Sequence, residues 1–525
     1  MKRIHILLFA FLVVFAVSCT KDLNKNPANA LTSATLYTSE AGYKSSLAKI
    51  YAGLALTGNS GPAGSGDLAG IDEGFSSYLR NYWNLQELPT DEAVIAWNDA
   101  TIKDFHNMSW TPADAFNNAL YSRIYYQITL ANAFIRESSD DKLSSRGISG
   151  ADATKVKGYQ AEARYLRALS YWHALDLYGN PTFVTEANEI GASLPPSTTR
   201  ANLFSYIETE LKAVESQLPD PKQNEYGRVD KAAVWMLLSN LYLNAKVYMG
   251  TDRSTDAITY SSKVIASSYT LDPNYQHLFM ADNNTSPEII FAVNFDGRNT
   301  QTYGGTTYLV HASVGGTMNS GSFGIDGGWA GLRTTKALVN KFPDPNGTAD
   351  HRALFYTSGQ SLDITDIGDF ASGYAVRKWS NKTSTGGNGS NLTFPDTDFP
   401  MFRLAEAYLI YAEAVLRGGS GGSASQAITY INALRERAYG NTSGDINVSS
   451  FNLQFILDER ARELYWEGKR RTDLIRFDQF TTSAYLWPWK GGVSSGTAVG
   501  SFRNLYPIPT QAINSDPNLT QNTGY

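Results

Sequence analysis

At 525 residues, with 44 Lys and Arg against 50 Asp and Glu, the chain has a formal net charge of −6. This diffuse acidic balance gives nucleic-acid binding no footing. A single cysteine excludes an internal disulfide framework, and six scattered histidines (His5, His106, His173, His277, His311 and His351) make no familiar zinc arrangement. The 31 Tyr, 24 Phe and 10 Trp can fill cores and still leave flat faces edged by hydrogen-bonding groups, which suit neutral polar ligands.

Lys2 and Arg3 precede an apolar run from Ile4 to Val17, followed by Ser18-Cys19-Thr20. The run is too short to span a bilayer and ends in small residues, so residues 1–18 read as a signal peptide. Ala16-Val17-Ser18-Cys19 resembles the lipobox of bacterial lipoproteins, which places a lipid on Cys19. Burial of acyl chains at ~0.8 kcal/mol per methylene makes an anchor with more than one chain stable. Residues 19–35, polar and carrying Asn24, Asn26, Pro27 and Asn29, read as a spacer.

A folded body is expected over residues 36–525. Helical periodicity runs from Thr38 through Leu54 and stops in the glycine-rich loop from Gly58 to Gly74. It resumes over 113–136 and again where Val156, Tyr159, Ala163, Leu166, Leu169, Tyr171 and Leu175 share a face, ending at Gly179-Asn180-Pro181. Further helices are expected over Leu203–Leu218, Val229–Tyr248, Asp256–Ser267, Phe402–Leu416 and Ala424–Tyr439. Consecutive helices with short turns bury a continuous seam by stacking, in the manner of degenerate tetratricopeptide-like pairs. Residues 274–402 differ: strand-like pieces at Ile289–Phe295 and Thr307–Val310 alternate with paired glycines, as in a loop-rich subregion carried by the helices.

Several segments then carry a resemblance. They are Tyr82-Trp83-Asn84-Leu85-Gln86-Glu87-Leu88-Pro89-Thr90-Asp91-Glu92, Glu162-Ala163-Arg164-Tyr165-Leu166-Arg167-Ala168, and Leu177-Tyr178-Gly179-Asn180-Pro181. Leu271-Asp272-Pro273-Asn274-Tyr275 leads into Pro287-Glu288-Ile289-Ile290-Phe291, and Ile456 through Leu464, Gly468 through Leu474 and Tyr506-Pro507-Ile508-Pro509 follow. In order and extent the chain resembles the RagB/SusD family of outer-membrane nutrient-uptake lipoproteins. The resemblance implies a predominantly α fold, a SusD-like helical body with tetratricopeptide-like pairs and an irregular glycan-binding region. It also implies a cell-surface, lipid-anchored protein that binds an oligosaccharide or polysaccharide and caps a SusC-like TonB-dependent transporter, without hydrolysing the glycan. Glu459, Arg460, Arg462, Glu463 and Arg471 of the signature segments read as structural charge networks.

Glycan-binding candidates lie elsewhere: Arg80, Trp83, Trp97 and Asn98 after the first glycine loop, and Tyr303, Tyr308 and Trp329 in the later glycine-rich region. A sugar stacks its C–H face on Trp or Tyr while Arg or Asn supplies directional hydrogen bonds. Two rings set at an angle select a curved chain, and an α-glucan such as starch is the expected ligand. A non-starch glycan and a purely protein-binding scaffold are the alternatives. A glycoside hydrolase needs two carboxylates roughly 5–9 Å apart across a bond, whereas Asp72-Glu73 and Asp91-Glu92 are adjacent pairs and no nucleophile elbow occurs. No cofactor is expected. Asp363, Asp366 and Asp369 lack the glycine and distal glutamate of an EF-hand, so a structural calcium there has little support.

Overall fold

The computed structural model describes residues 33–525 apart from Ser65, Glu189, Ile190, Ala192 and Ser193. The expected signal peptide and Cys19 lie outside the described residues, and the end of the expected spacer falls in a short helix, Ser33–Leu36.

Side-chain caps start the helices close to where periodicity places them. Ser39 accepts the Gly42 amide ahead of α1 (Glu40–Ala52). α2 (Tyr78–Glu87) is buried on every face. Asp114 accepts the Asn117 amide at 2.8 Å to open α3 (Ala115–Glu137), and α4 (Gly150–Tyr178) follows. The stripe expected on α4 is buried, and from Ala161 onward nearly all of its circumference is too, because α1, α3 and α5 (Arg200–Glu215) all pack against it. Asp230 accepts the Ala232 and Ala233 amides to open α6 (Lys231–Leu243). The single helix expected over Val229–Tyr248 breaks at Asn244 and resumes as Ala245–Met249.

α6 packs on α7 (Ser254–Ile265), and α7 packs on a later helix, Leu404–Leu416, although residues 266–403 intervene. That excursion contains α8 (Gly305–Ala312), so the strand expected over Thr307–Val310 is a helix. Its β-branched residues are wholly buried, and packing against α2 overrides their strand propensity. The stack closes with α9 (Leu404–Leu416) and α10 (Ala424–Tyr439), then α11 (Leu453–Leu464) and α12 (Arg470–Arg476).

Among the described residues six short strands form three antiparallel pairs. β1 (Val94–Ile95) pairs with β3 (Leu332–Arg333), β2 (Ile289–Val293) with β6 (Phe399–Arg403), and β4 (Phe355–Tyr356) with β5 (Ala375–Val376). The β2–β6 pair, which runs from Ile289↔Arg403 to Val293↔Phe399 with register shifts on either side of Phe291, clamps the two ends of the loop-rich region onto the helices. Among the described residues no helix is long and apolar enough to cross a membrane.

The signature charges lie inside the body. Arg352 donates to Asp350, Glu459 and Glu463, while Arg403 donates to Glu288, Glu463 and Glu467. Lys378 joins Glu467, and Arg437 joins Glu288 and Glu463. Arg460 pairs with Asp473, and Arg471 with Asp176. Burial alone would raise the Glu459 carboxyl, but Arg352, Arg462 and Arg435 outweigh it and hold it at about 2. In the same way Arg460 and Arg476 bring Asp473 to about 2, and Glu463 is lowered further by Arg437, Arg403 and Arg352.

These carboxyls titrate lower in the folded protein than the ordinary 4.5 of a glutamate or 3.8 of an aspartate. Their contribution is therefore complete above those values and is lost as pH falls through about 2. Thermal unfolding followed by circular dichroism should show a midpoint that drops steeply below pH 4.5. A midpoint level from pH 6 down to about pH 2.5 would contradict the linkage.

Candidate functional site

The loop-rich region meets the segment that follows β1 at one constellation of rings. β1–β3 pairing brings the segment after Ile95 alongside the segment before Leu332, and the Ala96 amide donates to the Gly331 carbonyl at 2.8 Å. Trp97 then lies across the opposite loop, its indole N–H donating to the Trp329 carbonyl at 3.0 Å. A Cβ on Gly331 would come within 2.5 Å of the Trp97 ring, so only glycine permits this approach.

Trp97 and Trp329 are half-buried, with ring centroids 6.3 Å apart and planes inclined by 43°. Tyr303, also half-buried, continues the curve 6.4 Å from Trp329 at 57°, and Phe394 lies 5.7 Å beyond it. Trp329 is backed by the His311 imidazole, stacked at 4.7 Å, whose Nδ1 lies 2.6 Å from the Gly327 carbonyl oxygen and Nε2 2.9 Å from that of Thr393. Ala100 (φ 41°) and Ala330 (φ 50°) take left-handed backbone on the two loops, a strain found where the surroundings over-determine a site.

Arg80 projects from α2 beneath the rings. Its guanidinium sits 4.3 Å from the Tyr308 ring centroid and 5.8 Å from that of Trp97, and it donates to the Gly74 carbonyl. Burial lowers its pKa, opposed by the Tyr308 ring oxygen and the charges of Asp99 and Asp72. A Cβ on Gly304 would strike the Ser77 hydroxyl, so glycine there lets α8 seat Tyr308 against α2.

The structure thus gathers Trp97, Asn98, Tyr303 and Trp329 at one surface, with Asn98 exposed at its edge and Arg80 buried beneath it. Trp83 and Tyr308 are in the same place but fully buried. Trp83 donates to the Trp466 carbonyl and meets the Trp466 and Tyr308 rings edge-on, so these two form the floor and offer no face to a ligand. His311, Phe394, Asp72 and Asp99 were not legible as site residues, because no motif or spacing marks them.

The acidic alternatives are otherwise engaged. Asp91 holds Arg470 through both carboxylate oxygens, and Glu92 accepts the Trp466 amide; both are buried away from the rings. Glu73 accepts the Gly66 amide. Asp363 pairs with Lys336, Asp366 accepts the Gly368 amide and Asp369 that of Ala371. Among the described residues no group of three or more His, Cys, Asp or Glu side chains is placed to hold a metal ion.

Half-exposed rings tilted against one another, edged by the Asn98 amide and raised on loops from a helical stack, have the chemistry to stack a neutral sugar. Comparison with known proteins agrees. The model of the SusD family matches residues 356–525. The starch-binding protein SusD of Bacteroides thetaiotaomicron is 38% identical over 99% of this chain and 98% of its own length. A solved SusD homolog from the same organism superimposes with a TM-score of 0.73 at 20% identity, covering 94% of this chain and 98% of the other. Surface glycan-binding protein A of that organism, solved in complex with laminarihexaose, gives 0.68 at 20% identity, covering 92% and 99%.

The chain belongs to the SusD family. It is accordingly a non-catalytic carbohydrate-binding lipoprotein of the outer-membrane cell surface, working with a SusC-type transporter.

Proposed function

We propose that the glycan is an α-glucan, starch or a malto-oligosaccharide, captured on the Trp97–Trp329–Tyr303 surface. The observation that carries this reading is the mutual tilt of the rings: neighbouring planes are inclined by 43° and 57°, an angled platform that suits a coiled chain better than a flat ribbon. Its support from outside is the starch-binding name of the 38% identical relative. Several modest stacking contacts hold a polymer without the slow release of a deep pocket, which favours handing it to a transporter.

A glycan array followed by calorimetric titration tests the ligand. Linear and cyclic malto-oligosaccharides should bind, and the cyclic form should bind at least as tightly because its curvature is set in advance. Binding of laminarihexaose or another glycan with no α-glucan binding would overturn the ligand while leaving the family intact. Lipidation at Cys19 belongs to the same reading. Cys19→Ala should move the protein from the membrane to the soluble fraction, and unchanged membrane retention would refute that anchor.

A further inference from the structure

We propose that the cleft of about 490 Å³ between the glycine loop and the start of α3 is a second carbohydrate subsite, continuous with the ring surface, which takes the next stretch of an extended neutral glycan. The proposal rests on the carbohydrate-binding reading above and extends it to a part of the protein that the rings do not reach. The volume lies within the usual range for small-ligand clefts, about 300–1,000 Å³.

Three connections tie the cleft to the elements that carry the rings. Asp72 lines the cleft and is exposed, and its carboxylate accepts the Gly74 amide at 2.7 Å, while the Gly74 carbonyl accepts Arg80 beneath Trp97. The Ala115 amide, in the cleft wall, donates to the Thr101 hydroxyl at 3.1 Å, which joins α3 to the loop that carries Trp97 and Asn98. The glycine-loop wall is braced from α2, where Arg80 donates to the Gly74 carbonyl and Asn81 to the Phe75 carbonyl. On this proposal a chain leaving Trp97 passes Asn98 and Thr101 to reach the cleft at Ala115.

The lining has the chemistry of a sugar site. Phe75, packed on Phe116 at 4.8 Å, and Pro112 offer apolar surface to C–H groups. Asp72 supplies a carboxylate acceptor for hydroxyls. Asn118 donates to Gln511 at 3.3 Å, which leaves the Asn118 carbonyl oxygen and the Gln511 amide N–H groups for ligand hydroxyls. No lysine or arginine lines the cleft, so it suits a neutral glycan and not a sulfated or phosphorylated one.

The test is the dependence of affinity on chain length. Ala113 is exposed in the cleft, and Ala113→Trp would fill it without touching the rings. The pair Asn118→Ala with Gln511→Ala removes the amides instead and guards against a local disturbance by the indole. Wild type and both variants are titrated with maltotriose and maltoheptaose, and with laminaritriose and laminarihexaose. In the series that wild type binds, the variants should hold the trisaccharide within about twofold and lose about tenfold on the longer chain. Undiminished affinity for the longer chain in both variants overturns the subsite and leaves the ligand reading standing. Binding of the laminari series alone overturns the α-glucan and still tests the cleft. No binding by wild type in either series overturns both.

Discussion

Arg403→Ala should lower the stability of the folded protein by roughly 3–5 kcal/mol, the range for removing one partner of a buried ion pair. Arg403 ends β6 directly before α9 and is about 1% exposed. Its Nη1 donates to Glu288 at 2.9 Å and to Glu463 at 2.6 Å, its Nε and Nη2 grip Glu467 at 2.7 and 2.9 Å, and Nη2 also reaches the Glu463 carbonyl at 2.7 Å. Alanine leaves these acceptors buried with fewer cations. Water cannot readily replace the guanidinium there. Arg403→Lys should recover only part of the loss, since an ammonium cannot reproduce the planar fork on Glu467. Urea denaturation followed by tryptophan fluorescence measures the effect, and an unshifted midpoint for Arg403→Ala would show that the network adds nothing net. The consequence reaches the binding surface, because β2–β6 and this network seat the loop-rich region on the helices.

Trp329→Ala should weaken glycan binding by about thirtyfold or more, corresponding to ~2 kcal/mol for a central aromatic hot spot. Trp329 is the middle ring of the curve, inclined to Trp97 on one side and Tyr303 on the other. The substitution is local because the Trp329 main chain does the structural work. Its carbonyl accepts the Trp97 indole and its amide donates to the His311 carbonyl at 2.8 Å, bonds that alanine retains. The thermal midpoint should therefore move little while affinity falls. Titration with maltoheptaose reads the change directly. Normal binding by Trp329→Ala, with Trp97→Ala and Tyr303→Ala also normal, would put the glycan somewhere else on the protein.

Composition and periodicity were enough for the long helices of the body, though not for α2, α11 or α12, and for the distinction between helix-rich parts and the loop-rich region. Long amphipathic segments such as α4 must bury their apolar faces, and one local pattern repeats along the whole element. The signature charges were also readable as structural, since they alternate with apolar positions on α11 that have to face the core. The same reading failed at Thr307–Val310, where a short β-branched run has no length to distinguish strand from buried helix.

The site divides along the same line. Residue type could nominate Trp83, Trp97, Tyr303, Tyr308 and Trp329 together, but it could not sort them. Trp83 and Tyr308 became floor because α2 and α8 are buried on all sides, and Trp97, Tyr303 and Trp329 became surface because they sit on loops above them. The pairing that sets Trp97 against Trp329 involves strands of two residues each, too short for any periodic signal. His311 behind Trp329, and the cleft shared by the glycine loop and Gln511, join segments far apart in the chain. Local sequence dictates where an element forms because its periods are local; which rings face water depends on how distant elements cover one another, and only tertiary packing settles that.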